Sequence, residues 1–190
     1  MRIGLLGGSF NPAHEGHLHI VELARRHLRL DQVWLLVSPG NPLKSARGMA
    51  PLADRLASAR DIADGRRVIA SAIEVLWGTR YTIDTLRLLL LRFPRARFIW
   101  LMGADILVQL PRWRRWLDFV RGIPIAVIPR PGYNHRALAS QVACRFASAR
   151  RPMRSAREVV ELSAPAWVFL NVPQLAASAS AIRASIGAEP

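Results

Sequence analysis

Cysteine is almost absent from this chain: Cys144 stands alone among 190 residues. An intramolecular disulfide and a thiolate metal cluster are thereby excluded, and so thiol-poor a composition fits a reducing compartment. Long apolar runs are missing as well, since no uninterrupted stretch approaches the roughly 18 residues a membrane span requires. Met1 to His17 carries one arginine and a short apolar run ending in glycines, without the extended apolar region of a secretory signal. The expected location is the cytoplasm, with no membrane partner.

Lysine is scarcer still for so basic a protein. Lys44 is the only lysine among 27 basic residues, which face 13 acidic ones and leave a formal net charge of +14. Such an excess attracts polyphosphate backbones regardless of sequence. The arginines are scattered over many segments, however, as in a compositional drift of the whole chain, and form no basic tail. Arg25-Arg26, Arg66-Arg67 and Arg150-Arg151 read as solvated faces. Specific nucleic-acid binding is therefore not the expected use of the charge. Linker composition, repeats and low-complexity segments are also missing, so residues 1–190 read as one domain.

What is present is an alternation of two periods. Ile3 to Leu6, Val33 to Val37, Val68 to Ile73, Phe98 to Met102, Ile123 to Ile128 and Trp167 to Val172 are short runs of Val, Ile, Leu and aromatics, as buried parallel strands are. Between them Leu18, Val21, Ala24 and Leu28 share a helical face, as do Leu52, Leu56 and Ala59, and Ile83, Leu86, Leu89 and Leu90. Further helices are expected at Ala104 to Gln109, Trp113 to Val120, Ala137 to Ala149 and Ser178 to Ile186. The fold class is α/β, a Rossmann-like doubly wound parallel sheet with helices on both faces. Such sheets bind ligands beyond the carboxyl ends of their strands.

The first strand ends in Gly7-Gly8-Ser9-Phe10-Asn11-Pro12 and passes through His14-Glu15-Gly16-His17 into a helix. Glycines admit an anion close to the backbone, a helix N-terminus aims free amides at it, and two histidines three apart share one side of the first turn. Neither the Walker loop nor the six-residue dinucleotide loop is there. The His pair lacks the spacing and third ligand of a zinc site, so no protein metal site is expected; simple capping of the helix is the plainer alternative. Asp105, after the strand ending in Met102-Gly103, puts a carboxylate where a ribose diol could bind. Lys44 follows a Pro-bounded loop, where a compact ammonium suits phosphate, and Arg183 follows a serine-rich helix start. Thr82 is a plausible N-cap, with Thr85 three residues inside its helix. Trp113 and Trp116 alternate with arginines, a pattern open to a base-stacking, a core or an interface reading. His19, His27 and His135 carry no assigned function.

Gly-Gly-Ser-Phe-Asn-Pro-x-His-x-Gly-His resembles the signature of the nucleotidyltransferase superfamily with the His-x-Gly-His motif, and most closely the bacterial nicotinate-nucleotide adenylyltransferases. Ser38 to Lys44, Gly103-Ala104-Asp105 and Ser178 to Arg183 extend the likeness over nearly the whole chain. The resemblance implies transfer of adenylyl from ATP to nicotinate mononucleotide, giving deamido-NAD and pyrophosphate by direct in-line attack, with Mg²⁺ carried by the ATP. It implies that Gly7, Gly8, Ser9, Phe10, Gly103, Asp105, Ser180 and Ile182 contact ATP, with His14, His17, Lys44 and Arg183 around its phosphates. At Ser180 the implied role is that of the backbone. Asn41, Lys44, Thr85, Trp113 and Arg130 fall to the acceptor, Thr85 holding the pyridine carboxylate and Trp113 its ring. The alternatives are pantetheine-phosphate adenylyltransferase or a cytidylyltransferase within the same chemistry, and a basic nucleotide- or nucleic-acid-binding module outside it. Oligomeric state is left open.

Overall fold

The structure, a computed structural model, describes residues 1–40 and 48–173. The expected roles of Asn41, Lys44, Ser180, Ile182 and Arg183, and the helix from Ser178, lie outside the described residues. Seven strands form one sheet: β1 (Arg2–Gly8), β2 (Gln32–Val37), β3 (Val68–Ser71), β4 (Arg97–Gly103), β5 (Ile125–Ile128), β6 (Arg150–Arg151) and β7 (Trp167–Phe169). Their order is β3-β2-β1-β4-β5-β7-β6, and every pairing is parallel. The doubly wound expectation is met. The chain order reverses between β1 and β4, the position at which such sheets open a crevice for ligands.

Helices cover both faces because the strand residues alternate. On β4, Phe98, Trp100 and Met102 join one apolar layer, while Ile99 and Leu101 join the other. The first layer packs on α4 (Thr82–Arg92) through Ile83, Leu86 and Leu89, and on α5 (Ala104–Gln109) and α6 (Trp116–Gly122) through Leu107 and Phe119. The second packs on α1 (Glu15–Leu28) through Val21, Ala24 and Leu28, and on α2 (Leu52–Asp61) through Ala59. A fully buried Leu such as Leu28 contributes about 1.5–3 kcal/mol by leaving water. Central strands buried on both faces must read as continuous apolar runs, which is why they stand out in the sequence.

Several boundaries differ from expectation. The run from Val68 stops being a strand at Ser71, and Ile73 opens a four-residue helix, α3 (Ile73–Leu76). Strand geometry spans only Ile125–Ile128 of the run from Ile123 and Trp167–Phe169 of the run from Trp167, with single ladder bonds at Pro124 and Leu170 beyond those bounds. The long helix expected from Ala137 is two short ones, α7 (Asn134–Leu138) and α8 (Gln141–Arg145), because the Ser140 hydroxyl caps the Ala143 amide at 3.3 Å and starts a new helix. Tyr81, not Thr82, is the N-cap of α4, and α6 begins at Trp116 after Arg115 at φ 53°. The edge strand β6 and a four-residue helix, α9 (Ala156–Val159), were not foreseen; in β6 both arginines are exposed.

Candidate active site

The turn from β1 into α1 is tightly built. Phe10 is buried at 1% exposure with φ 47°, a left-handed backbone that a bulky residue rarely adopts. A Cβ on Gly7 would lie 2.8 Å from the Trp100 ring, so the bare backbone there is imposed by an indole as well as open to an anion. His14 is the N-cap of α1: its Nδ1 accepts the Gly16 amide at 3.1 Å, and His17 Nδ1 accepts the His14 amide at 3.2 Å. This reciprocal arrangement is a capping box made of histidines. Both Nδ1 atoms being acceptors, each neutral ring carries its proton on Nε2, which is left as the donor. The rings stand 4.0 Å apart, and Phe10 lies 4.8 Å from His17.

Electrostatics hold both rings neutral. Burial, then the repulsion His17 would meet from a protonated His14 and from Arg130, push His17 down to about 3 from the usual 6.5, and burial followed by Arg130 lowers His14. Arg130 itself pairs with Asp105 at 2.5 Å. Asp105 is 7% exposed, and among the described residues its Oδ1 has no hydrogen-bond partner. A buried acceptor in that condition wants a donor such as a hydroxyl. A Cβ on Gly103 would fall 2.5 Å from that same oxygen, so glycine is what lets the carboxylate fold back over the end of β4. His14, His17, Asp105 and Arg130 thus form one polar group beyond the sheet, with the Phe10 ring packed against His17.

Beside it lies a cavity of about 420 Å³, reached by Gly7, Gly8, Ser9 and Gly103 from the two turns. Its floor is aromatic: Trp113 meets Trp100 edge to face at 6.3 Å and Phe119 at 5.5 Å, and all three line the cavity. Trp116 turns instead to Phe146, 6.3 Å away, as a packing residue. Arg80, Arg112 and Arg114 also line the cavity, with Arg80 and Arg114 at 5.7 and 4.6 Å from the Tyr81 ring centre. Among the described residues none of the three pairs with a carboxylate. Thr82 and Ile83 open α4 at the cavity wall, and their amides have no intrahelical acceptor. Thr85 lies one layer behind: it is 1% exposed, and its hydroxyl shares a hydrogen bond with Thr79 at 2.7 Å and donates to Glu74 at 3.5 Å.

Two residues were overlooked in the sequence. Glu74, buried in the cavity wall, is raised by burial above the usual carboxylate range, against hydrogen bonds from Ser38 and Thr85. Arg55 is 2% exposed on the inner face of α2. A signal existed for each, an acid inside an apolar run and an arginine on the face of Leu52, Leu56 and Ala59. Asn11 fixes the end of the glycine turn: its Nδ2 donates to Gly48 O at 2.8 Å and its Oδ1 accepts the Ala50 amide at 3.2 Å.

Among the described residues no group of three or more His, Cys, Asp or Glu is placed to hold a metal ion. None of the described helices is long and apolar enough to cross a membrane.

A glycine turn leading into a histidine-capped helix, at the reversal point of a parallel sheet, is the apparatus of a nucleotidyltransferase, and the chain belongs to the cytidylyltransferase-like family, whose model matches residues 5–185. Within it the chain belongs with the nicotinate-nucleotide adenylyltransferases. Relatives named "Probable nicotinate-nucleotide adenylyltransferase" are 56% identical in Gluconacetobacter diazotrophicus, over 97% of this chain and 86% of that protein, and 56% identical in Gluconobacter oxydans, over 97% and 95%. The fold matches the Plasmodium falciparum nicotinic acid mononucleotide adenylyltransferase complexed with NaAD at a TM-score of 0.72, with 16% identity, over 96% of this chain and 82% of that one.

Proposed function

We propose that the chain transfers the adenylyl group of ATP to nicotinate mononucleotide, releasing pyrophosphate and forming deamido-NAD. The observation that carries the reading is the histidine capping box after β1, which engages both Nδ1 atoms and leaves two neutral Nε2–H donors at a helix N-terminus. An oxygen of the mononucleotide phosphate attacks the α-phosphorus; the P–O bond to it forms as the bond to the β-phosphate oxygen breaks, and pyrophosphate leaves with that electron pair. The attacking oxygen is already anionic at neutral pH, so no general base and no covalent enzyme intermediate are needed. The protein supplies alignment and charge stabilisation.

In this assignment His14 and His17 donate to the phosphates, with Lys44 and Arg183 as the cationic partners expected from the motifs. Asp105 Oδ1 accepts a ribose hydroxyl, and Gly7 to Phe10 and Gly103 border the nucleotide. The acceptor ring lies on Trp113, and its carboxylate meets the free amides of Thr82 and Ile83; Thr85 positions that turn through Thr79 and Glu74. Arg130 acts by holding Asp105. The acids facing the site stand singly, Asp105 on Arg130 and Glu74 on Thr85, which supports Mg²⁺ travelling with the nucleotide. The chemistry it would supply there is neutralisation of charge on the leaving pyrophosphate.

The test is pyrophosphate release with Mg-ATP and each of nicotinate mononucleotide, nicotinamide mononucleotide and phosphopantetheine. Preferential turnover of the nicotinate form is expected. Turnover of phosphopantetheine alone, or of none of the three by folded protein that binds ATP, would overturn the assignment.

A further inference from the structure

Arg55 is the most completely buried charge in the described chain, and nothing in the reaction above uses it. Its partners are all main-chain carbonyls: Nε donates to Ala50 O at 2.9 Å, one terminal nitrogen to Ser9 O at 2.8 Å and Ser38 O at 2.7 Å, and the other to Pro39 O at 3.2 Å. Four of its five N–H groups are thus used, and among the described residues no carboxylate pairs with it. Burying a guanidinium without a counter-charge is costly, and burial indeed lowers its pKa. An arrangement so expensive calls for a reason other than stability.

The acceptors supply it. Ser9 belongs to the glycine turn, Ser38 and Pro39 to the chain leaving β2, and Ala50 to the approach to α2, so one side chain fixes three segments relative to one another. In a trans peptide the carbonyl and the following N–H point oppositely. Turning the Ser9 and Pro39 carbonyls onto Arg55 therefore faces the Phe10 and Gly40 amides away from it, and Ser9, Ser38 and Gly40 all line the cavity. Asn11 ties the same region from the other side through Gly48 and Ala50.

We propose that Arg55 is a positioning residue for the polyphosphate of the nucleotide: it orients the backbone of the glycine turn and of residues 38–40 after β2 toward an anion, and its charge, without a carboxylate partner among the described residues, is balanced when a triphosphate or pyrophosphate binds. This deepens the reading of the site as an adenylyltransferase and rests on it for the identity of the nucleotide. It separates Arg55 from the acceptor end of the cavity, where Trp113 and α4 act. Lysine cannot replace it, because an ammonium offers three donors from one point where a planar fork reaches four carbonyls.

The experiment compares the full-length protein with Arg55→Lys and Arg55→Met. Folding is checked by circular dichroism, inorganic pyrophosphate binding by calorimetry, and KM is measured separately for ATP and nicotinate mononucleotide. Both variants should weaken pyrophosphate binding and raise KM for ATP by roughly tenfold or more, the scale of losing hydrogen bonds to a charged group, with KM for the mononucleotide within about twofold of the parent. If the methionine variant fails to fold, the lysine variant decides. Unchanged pyrophosphate binding, or equal rises in both KM values, would overturn the proposal by making Arg55 merely structural. A parent protein that binds pyrophosphate tightly yet turns over no nicotinate mononucleotide would sink the reaction assignment instead, and the calorimetric comparison would still decide the role of Arg55.

Discussion

His17 is asked to do two things at once, and the two can be separated. Its Nδ1 accepts the His14 amide and so closes the start of α1, while its Nε2–H is the group assigned to the phosphates. Replacing it by alanine removes both. Loss of a capping interaction costs about 1 kcal/mol, which for a domain of this size lowers Tm by about 2–4 °C. Loss of a preorganised donor to developing charge costs roughly 10²- to 10³-fold in kcat. Glutamine at the same position of a capping box reaches back to the N-cap amide in the same way, so His17→Gln should keep Tm within about 1 °C of the parent. Its amide donor does not reach where Nε2 does, so kcat should fall nearly as far as in His17→Ala. Thermal unfolding and pyrophosphate release at pH 7.5 read the two effects independently. A glutamine variant with near-parental turnover would refute the assigned donor, and an alanine variant with parental Tm would refute the cap.

Acid should weaken the fold through the same residue. With His17 held near 3 when folded and near 6.5 when unfolded, the unfolded chain binds the extra proton between those values; this contribution is intact above about pH 6.5 and is lost as pH falls toward 3. Urea midpoints between pH 7 and 4 should therefore fall less steeply for His17→Gln, and parallel curves would contradict the neutral buried ring. For Trp113→Ala, calorimetry should show weaker binding of nicotinate mononucleotide with ATP affinity little changed; equal losses for both ligands would mean damage to the fold. Because Arg80, Arg112 and Arg114 have no carboxylate partner among the described residues, KM for the anionic mononucleotide should rise with salt, and less so in Arg112→Gln. A salt response identical in the variant would remove Arg112 from the acceptor's approach.

The alternation of strand and helix was legible because the central strands are buried on both faces, which forces unbroken apolar runs at Val33 to Val37 and Phe98 to Met102. Strand ends were not, since pairing partners set them: Ile73 belongs to the same apolar run as Val68 but turns helical beyond the reach of β2. The glycine turn, both histidines and Asp105 could be found because a local motif carries them. Arg55 and Glu74 escaped because their meaning is tertiary. Arg55 binds Ser9, 46 positions away, and Glu74 meets Thr85, 11 positions on, across the start of α4. The resemblance puts Thr85 on the acceptor, whereas its hydroxyl is spent on Thr79 and Glu74, a second layer no spacing rule distinguishes from a first.

The contacts of Arg55 also bear on how such a sequence can vary. All four of its acceptors are main-chain oxygens, which every amino acid possesses. Side chains at positions 9, 38, 39 and 50 can therefore be exchanged without taking away a single acceptor, provided the backbone path is kept. One long side chain at position 55 thereby frees four neighbouring positions from specifying the same geometry. As far as these contacts reach, substitution should be tolerated at the four positions that are held, most freely at 50, which lies away from the cavity, and rejected at the one that holds them.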